Sequence, residues 1–202
     1  DVARRLIAMD NNVPWTKLAF NPQSIPESSY DDSYARLFGA DRVHLFKHWG
    51  SIDSDTLRRK MLYFAKVFEV DFIVLDHVSM VVAGTDTDER KDIDKLYEAM
   101  TQICVETGIG IIPIIHLKRV QGKKFNKGDE VELTDLRGSA GAEQMSWNVW
   151  ALERNQQAED GTKDLVRIRV LKNRTMGFTG LADTLRYDHT TGRLSLHQAE
   201  DY

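Results

Sequence analysis

Apolar and polar positions follow two distinct periods along this chain of 202 residues. Between residues 51 and 71, Leu57, Met61, Phe64, Ala65 and Phe68 recur at helical spacing, with Ser51, Asp53 or Ser54 ahead of them as N-cap candidates. The run FIVLD (72–76) differs: short, continuous and β-branched, it is too short for a buried helix and suits a central parallel strand. After a polar stretch, residues 88–107 return to the helical period, with Ile93, Leu96, Met100, Ile103 and Cys104 on one face. TGIG ends that helix, and IGIIPIIH (109–116) reads as a second buried strand. Pro113 inside it predicts a bulge or an edge, because proline has no amide to donate. Strand, long amphipathic helix and strand make a right-handed βαβ unit.

Outside this unit the pattern is less regular. DVARRLIAM sets Leu6, Ile7 and Met9 among charges with no capping residue ahead, so the chain reads as opening inside a helix. That predicts a piece of a longer protein, with a processed mature chain as the alternative. Residues 11–33 hold three of the four prolines and read as a helix break followed by a mobile connection. RVHLF (42–46) predicts a short strand. NVWALE (148–153), the alternating LVRIRVL (165–171) and a terminal hairpin around DHTTGR (188–193) add further strands. The expected class is α/β: a mainly parallel sheet flanked by helices, incomplete at its N-terminus and ending in antiparallel strands.

Composition narrows the setting. A chain of this length that is 42% hydrophobic is one ordinary globular domain with a sizeable core. The net charge of −4 and pI near 5.9 exclude a protein coated in basic charge, but leave room for a local basic stripe that meets nucleic acid. The single cysteine, Cys104, falls in a predicted helix, so no disulfide frame exists and a reducing compartment is expected. No apolar run approaches the roughly 20 residues that span a bilayer, and no signal peptide is visible. A soluble, cytoplasmic protein without a membrane partner is expected.

In an open α/β sheet, ligands bind beyond the carboxyl ends of the strands. Asp76 and His116 lie at two such ends joined by one crossover, and are expected close in space. An acid after an apolar strand commonly holds Mg²⁺ through water near bound phosphates. The same pattern also describes any strand end capped by a turn residue, and an isolated histidine is more often a satisfied interior imidazole than a reacting one. Directly after His116 and Leu117 comes KRVQGKKFNK (118–127), with five basic residues and no acid. A basic, mobile loop there can reach a phosphate backbone with salt-sensitive affinity. Clustering of one sign argues against a loop kept polar for solubility alone. Lys172 and Arg174 in VLKNRTMGFTG (170–180) extend to the same side where a strand runs out. A planar guanidinium suits a phosphoryl group whose charge is spreading in a transition state, although two solvated cations would account for those residues on their own.

Taken together, FIVLDHVSMVV, DERKDIDKL, IIHLK, TDLRGS, ALERNQQ, KNRTMGFTG and RYDHTTG resemble the RecA-like motor domain of ring-shaped replicative DNA helicases. They run in family order at family-like spacing from about residue 55 to 196. They look closest to the helicase half of phage bifunctional primase–helicases, within the DnaB-like superfamily. The resemblance implies roles. Asp76 resembles the Walker B acid that positions the Mg²⁺ of a bound nucleoside triphosphate, ATP or dTTP. His116 resembles the residue that senses the γ-phosphate and couples it to the DNA loop beginning at Lys118. Arg174 resembles the arginine finger that reaches into a neighbouring subunit, with Lys172 beside it. Arg154 and Tyr187 match the pair that sandwiches the nucleotide base, as a guanidinium plane and a phenol ring can. Lys118, Lys123, Lys124 and Lys127 fall in the loop that lines the central channel.

Three departures from the family pattern bear on these expectations. GSAGAEQ (138–144) places its second glycine one residue later than the usual GSG, and Trp147 stands where the family generally carries an aspartate. No G-x-x-x-x-G-K-[ST] occurs in the 202 residues. The resemblance therefore implies that residues 1–202 are the C-terminal part of a single RecA-like motor domain. Its phosphate loop and water-orienting glutamate would lie upstream. It further implies a ring, as a hexamer, moving on single-stranded DNA, with a primase domain and DNA polymerase as further partners, in the cytoplasm of a bacterial host. These residues alone are expected not to hydrolyse nucleotide, and to leave apolar sheet surface uncovered. Two alternatives are a recombinase or clock-type ATPase of the same fold and a non-catalytic single-stranded-DNA-binding module.

Overall fold

The computed structural model describes residues 2–39, 42–48, 52–78, 89–137 and 140–197. Three helices open the chain: α1 (Val2–Asp10), α2 (Trp15–Phe20) and α3 (Glu27–Phe38). They close around Ile7, Ala8, Leu18 and Ile25. Residues 11–33 are therefore not the mobile connection expected. Pro14 and Pro26 precede α2 and α3 directly, and Pro22 begins a 3₁₀ turn. Proline's fixed φ and missing amide cost nothing at a helix start, so these prolines begin helices as well as ending them.

RVHLF does not form the expected strand, because no partner strand lies beside it among the described residues. Its rings pack instead on α4 (Ser54–Val67): His44 stacks on Phe68 at 4.2 Å, and Phe46 meets Phe64 edge-on at 6.3 Å. Asp53 caps α4, its carboxylate accepting from the Thr56 amide at 2.8 Å. Ser51 lies outside the described residues.

The expected βαβ unit is present. Strands β1 (Phe72–Leu75) and β2 (Gly110–Pro113) pair in parallel, joined by α5 (Glu89–Thr107). Leu57, Met61 and Ala65 of α4 meet Ile93, Leu96, Met100 and Ile103 of α5 in the main core, with Ile73, Leu75, Ile111 and Ile115 packed against it. The amides of Gly110 and Ile114 donate to Asp71 and Leu75. Alternate β2 amides thus face β1, and the Pro113 nitrogen lies on the other edge, where no ladder donor is required. The opposite face of this sheet is also apolar, as a doubly buried parallel strand requires. Phe72 and Val74 there are 66% and 62% exposed, and Ile112 and Ile114 are exposed beside them.

Four antiparallel strands finish the chain in the order β3 (Asn148–Glu153), β4 (Leu165–Asn173), β5 (Gly180–Tyr187) and β6 (Leu194–Leu196). The class is α/β with both parallel and antiparallel strands, the parallel pairing among the described residues being β1 with β2. The short helix α6 (Ala140–Met145) joins the two parts, and its Gly141 amide donates to Asp94 of α5 at 3.1 Å. No helix among the described residues is long and apolar enough to cross a membrane.

Candidate nucleotide and nucleic-acid site

The carboxyl ends of β1 and β2 converge as the topology requires. Asp76 follows β1 directly and is exposed. The ring of its neighbour His77 lies 4.5 Å from that of His116, edge to face, so the two strand ends meet. Among the described residues no hydrogen bond or ion pair occupies the Asp76 carboxylate. That suits a hard cation held through water and phosphate oxygens. No group of three His, Cys, Asp or Glu among the described residues could cage a metal.

From His116 the chain runs straight into the basic loop, which hydrogen bonds fasten at both ends. Leu117 bridges Leu136, the Lys118 amide donates to the Asp135 carbonyl at 2.8 Å, and the Arg137 amide donates to His116 at 2.8 Å. Asp135 is buried at 3% exposure. Its carboxylate accepts from Lys123 at 2.7 Å and from the Glu132 amide at 2.8 Å. Burial pushes the Asp135 carboxyl up, but Lys123 and the Glu132 amide outweigh it and hold the group below the usual carboxylate range. Lys123 also pairs with Glu132 at 3.1 Å, so its ammonium fastens the base of the loop. Lys118, Arg119, Lys124 and Lys127 are exposed.

The far end of this loop is tied to the end of β3. Lys127 bridges Asn155, and the Gln156 amide donates to the Asn126 carbonyl at 3.1 Å. Gly128, at φ +87°, lies so close that an added Cβ would meet the Asn155 Cβ at 3.1 Å. Arg167 donates to the Gly128 carbonyl at 2.5 Å. Glu153, whose side chain is fully enclosed, accepts from the Val131 amide at 2.9 Å and from Arg169 Nε at 2.7 Å. The Glu153 carboxylate holds the Arg169 guanidinium above its ordinary range, and Glu130 adds a second ion pair at 2.7 Å.

Arg154 follows Glu153, and its guanidinium lies 4.6 Å from the centroid of the Tyr187 ring on β5. The two residues, 33 positions apart in the chain (187 minus 154), are thus brought into direct stacking contact. Lys172 and Arg174 both turn toward the carboxyl end of α6. Lys172 donates to the Glu143 and Gln144 carbonyls, and Arg174 to Gln144. These are the orphan carbonyls of a helix end, a favourable place for cations. Burial, followed by the Arg174 charge, pushes the Lys172 ammonium down. The Arg174 guanidinium also lies 6.0 Å from the Trp147 ring, so the tryptophan at the departure position packs beside the finger candidate. Gly138 and Ser139, the start of the shifted glycine motif, lie outside the described residues, as do 79–88.

Over residues 1–194 the sequence matches the DnaB-like helicase C terminal domain. The chain belongs to that family. It is 37% identical over 197 residues to the DNA helicase/primase of Enterobacteria phage T3, covering 96% of this chain and 34% of that protein. Two solved structures share its fold at 17% identity and a TM-score of 0.77. One, an ATPase domain, covers 97% of this chain, which spans 70% of it. The other, a DnaB-like replicative helicase solved with attention to its interactions with primase, covers 95%, and this chain spans 47% of it. The chain thus spans about a third of the curated relative it matches.

For a DnaB-like domain, the sequence pointed at the strand ends, the basic loop and the stacking pair. It did not point at Asp135 or Glu153, the two buried carboxylates that hold the basic loop on the sheet. The one signal available, for Glu153 alone, was an acid closing the largely apolar strand NVWALE, where an unpaired charge would be too costly to bury.

Proposed function

We propose that this chain is the C-terminal part of the motor domain of a nucleoside-triphosphate-driven replicative DNA helicase, which moves on single-stranded DNA and unwinds duplex. The observation that carries the proposal is the mounting of the basic loop. One end continues from His116 at the strand ends, and the other is tied beside Arg154 of the stacking pair. A change at a bound nucleotide at either place has a short covalent and hydrogen-bonded route to the loop. Family membership supports the same reading.

In this reading Asp76 holds Mg²⁺ through water, and the ion, when bound, neutralises charge on the phosphates of ATP or dTTP. His116 senses the terminal phosphate, and Arg154 with Tyr187 binds the base. Arg174, with Lys172, leaves the α6 carbonyls to reach a neighbour's nucleotide, which requires a ring; we propose a hexamer. Lys118, Arg119, Lys124 and Lys127 track the DNA backbone, while Lys123 keeps the loop in shape. The phosphate-cradling loop is proposed to come from outside these 202 residues, within the same domain. A primase domain and a DNA polymerase are the proposed further partners, and the cytoplasm of a bacterial host is the proposed setting.

Triphosphate hydrolysis by the whole polypeptide, with and without single-stranded DNA, tests this directly together with displacement of a labelled strand from a fork. Hydrolysis stimulated by DNA and coupled to displacement is expected. Salt-dependent DNA binding with neither activity would instead identify a binding module.

A further inference from the structure

Arg154 and Tyr187 sit inside a larger cluster. Besides stacking on Tyr187, Arg154 donates from Nε to the Lys163 carbonyl at 2.7 Å and from Nη2 to Asp164 Oδ1 at 3.3 Å. The same Asp164 oxygen bonds His189 Nε2, whose ring stands edge-on to Tyr187 at 5.2 Å. Lys163 and Asp164 close the 3₁₀ turn Gly161–Asp164, which Asp160 caps through the Thr162 amide at 2.9 Å. His189 lies in the turn after β5, where the Asp188 amide donates to the Arg193 carbonyl at 2.9 Å and Thr191 is buried. Two braced turns from distant parts of the chain thus converge on one guanidinium.

The geometry has a chemical consequence. A stacking arginine on a free stem loses side-chain freedom each time it binds, and fixing two of its donors beforehand removes much of that cost. In this structure the guanidinium lies directly against Tyr187, so a base enters only when the two planes part. Lifting Arg154 would leave a partly buried carboxylate without its cation. His189 then keeps that oxygen hydrogen-bonded, because its Nε2 remains on it. Nε2 also lies 3.4 Å from Arg154 Nη2. A ring nitrogen carries either a proton or a lone pair, so it serves Asp164 as donor or Arg154 as acceptor, one at a time.

We propose that Asp164 and His189 are positioning residues for the nucleotide base: Asp164 holds the Arg154 plane over the bound base, and His189 holds Asp164 while Arg154 moves aside to let the base enter. The proposal rests on reading Arg154 and Tyr187 as the base-binding pair. It makes affinity for the base, and not for the phosphates, depend on two residues that need not touch the nucleotide.

The test is equilibrium binding of ATP or dTTP, and separately of inorganic tripolyphosphate, to the whole polypeptide carrying Arg154→Ala, Tyr187→Ala, Asp164→Asn or His189→Gln. Asp164→Asn and His189→Gln are expected to weaken triphosphate binding about 3- to 10-fold, within the range of one cation–π contact. Tripolyphosphate binding and the turnover at saturating nucleotide stay unchanged. Triphosphate binding that is lost in Arg154→Ala and Tyr187→Ala but normal in Asp164→Asn and His189→Gln overturns this proposal and leaves the base site intact. Normal binding in Arg154→Ala and Tyr187→Ala removes the base site itself. Equal losses for triphosphate and tripolyphosphate in Asp164→Asn would mark a general structural defect and also overturn the proposal.

Discussion

Replacing Glu153 with glutamine removes one negative charge from a site closed to water. The carboxylate accepts from Arg169 at 2.7 Å and from the Val131 amide at 2.9 Å, and Arg167 approaches to 3.4 Å. Glutamine keeps the shape and one acceptor oxygen, so the bond to Val131 survives. What is lost is the charge that compensates Arg169, whose side chain is only 16% exposed. Breaking a buried pair from one side costs about 3–5 kcal/mol, and the remaining partner Glu130 argues for the low end, about 3 kcal/mol. For a chain of this size each 1 kcal/mol lowers the melting temperature by roughly 2–4 °C, which gives a fall of about 6–12 °C. Thermal unfolding of the 202-residue chain, followed by circular dichroism, measures it. Glu130→Gln is the control, since Glu130 is 68% exposed and its loss leaves Arg169 paired to Glu153. If Glu153→Gln melts with Glu130→Gln and the parent chain, Glu153 is not what holds the basic loop to the sheet.

The basic loop gives a second prediction. Lys124→Ala and Lys127→Ala each flatten the slope of log affinity for single-stranded DNA against log salt by about 0.7, and Lys123→Ala flattens it less because that ammonium is already paired to Asp135 and Glu132. A slope that responds to Lys123→Ala alone would reverse the assignment. Asp135 carries a pH prediction. Its carboxyl is held below the ordinary value of 3.8, so its contribution is present above that value and lost as pH falls through the lower, folded one. The pH-dependent shift of the Glu132 amide resonance should therefore have its midpoint below 3.8, and a midpoint at or above it refutes the pairing. The open sheet face predicts self-association of the 202-residue chain, reduced by Phe72→Ser. Concentration-dependent light scattering unaffected by that change would show the face is not the contact.

How much of this was legible in the chain depended on what fixes each feature. The βαβ unit follows from burial, and burial writes its period directly into residues 57–115, so helices and strands there matched the pattern. RVHLF carried a strand pattern too, but a strand is a pairing, and the local pattern cannot announce that no partner strand lies beside it among the described residues. In residues 11–33 proline looked the same whether it ends a helix or begins one, and the deciding fact was the burial of Leu18 and Ile25. Charge clustering located the basic loop without telling which lysine turns inward, because that depends on Asp135, twelve positions later. Asp164 and His189 left no local trace at all, being brought to Arg154 from separate turns.

In the proposed motor, nucleotide is hydrolysed between subunits, with Asp76 on one side and Arg174 on the other. The most direct measurement is DNA-stimulated triphosphate hydrolysis by the whole polypeptide as Asp76→Asn, as Arg174→Ala, and as a mixture of the two. Each variant alone is expected to be inactive, and mixing is expected to restore part of the activity, since some interfaces then combine an intact Asp76 with an intact Arg174. Full activity in Arg174→Ala alone, or a mixture as inactive as its components, would contradict it.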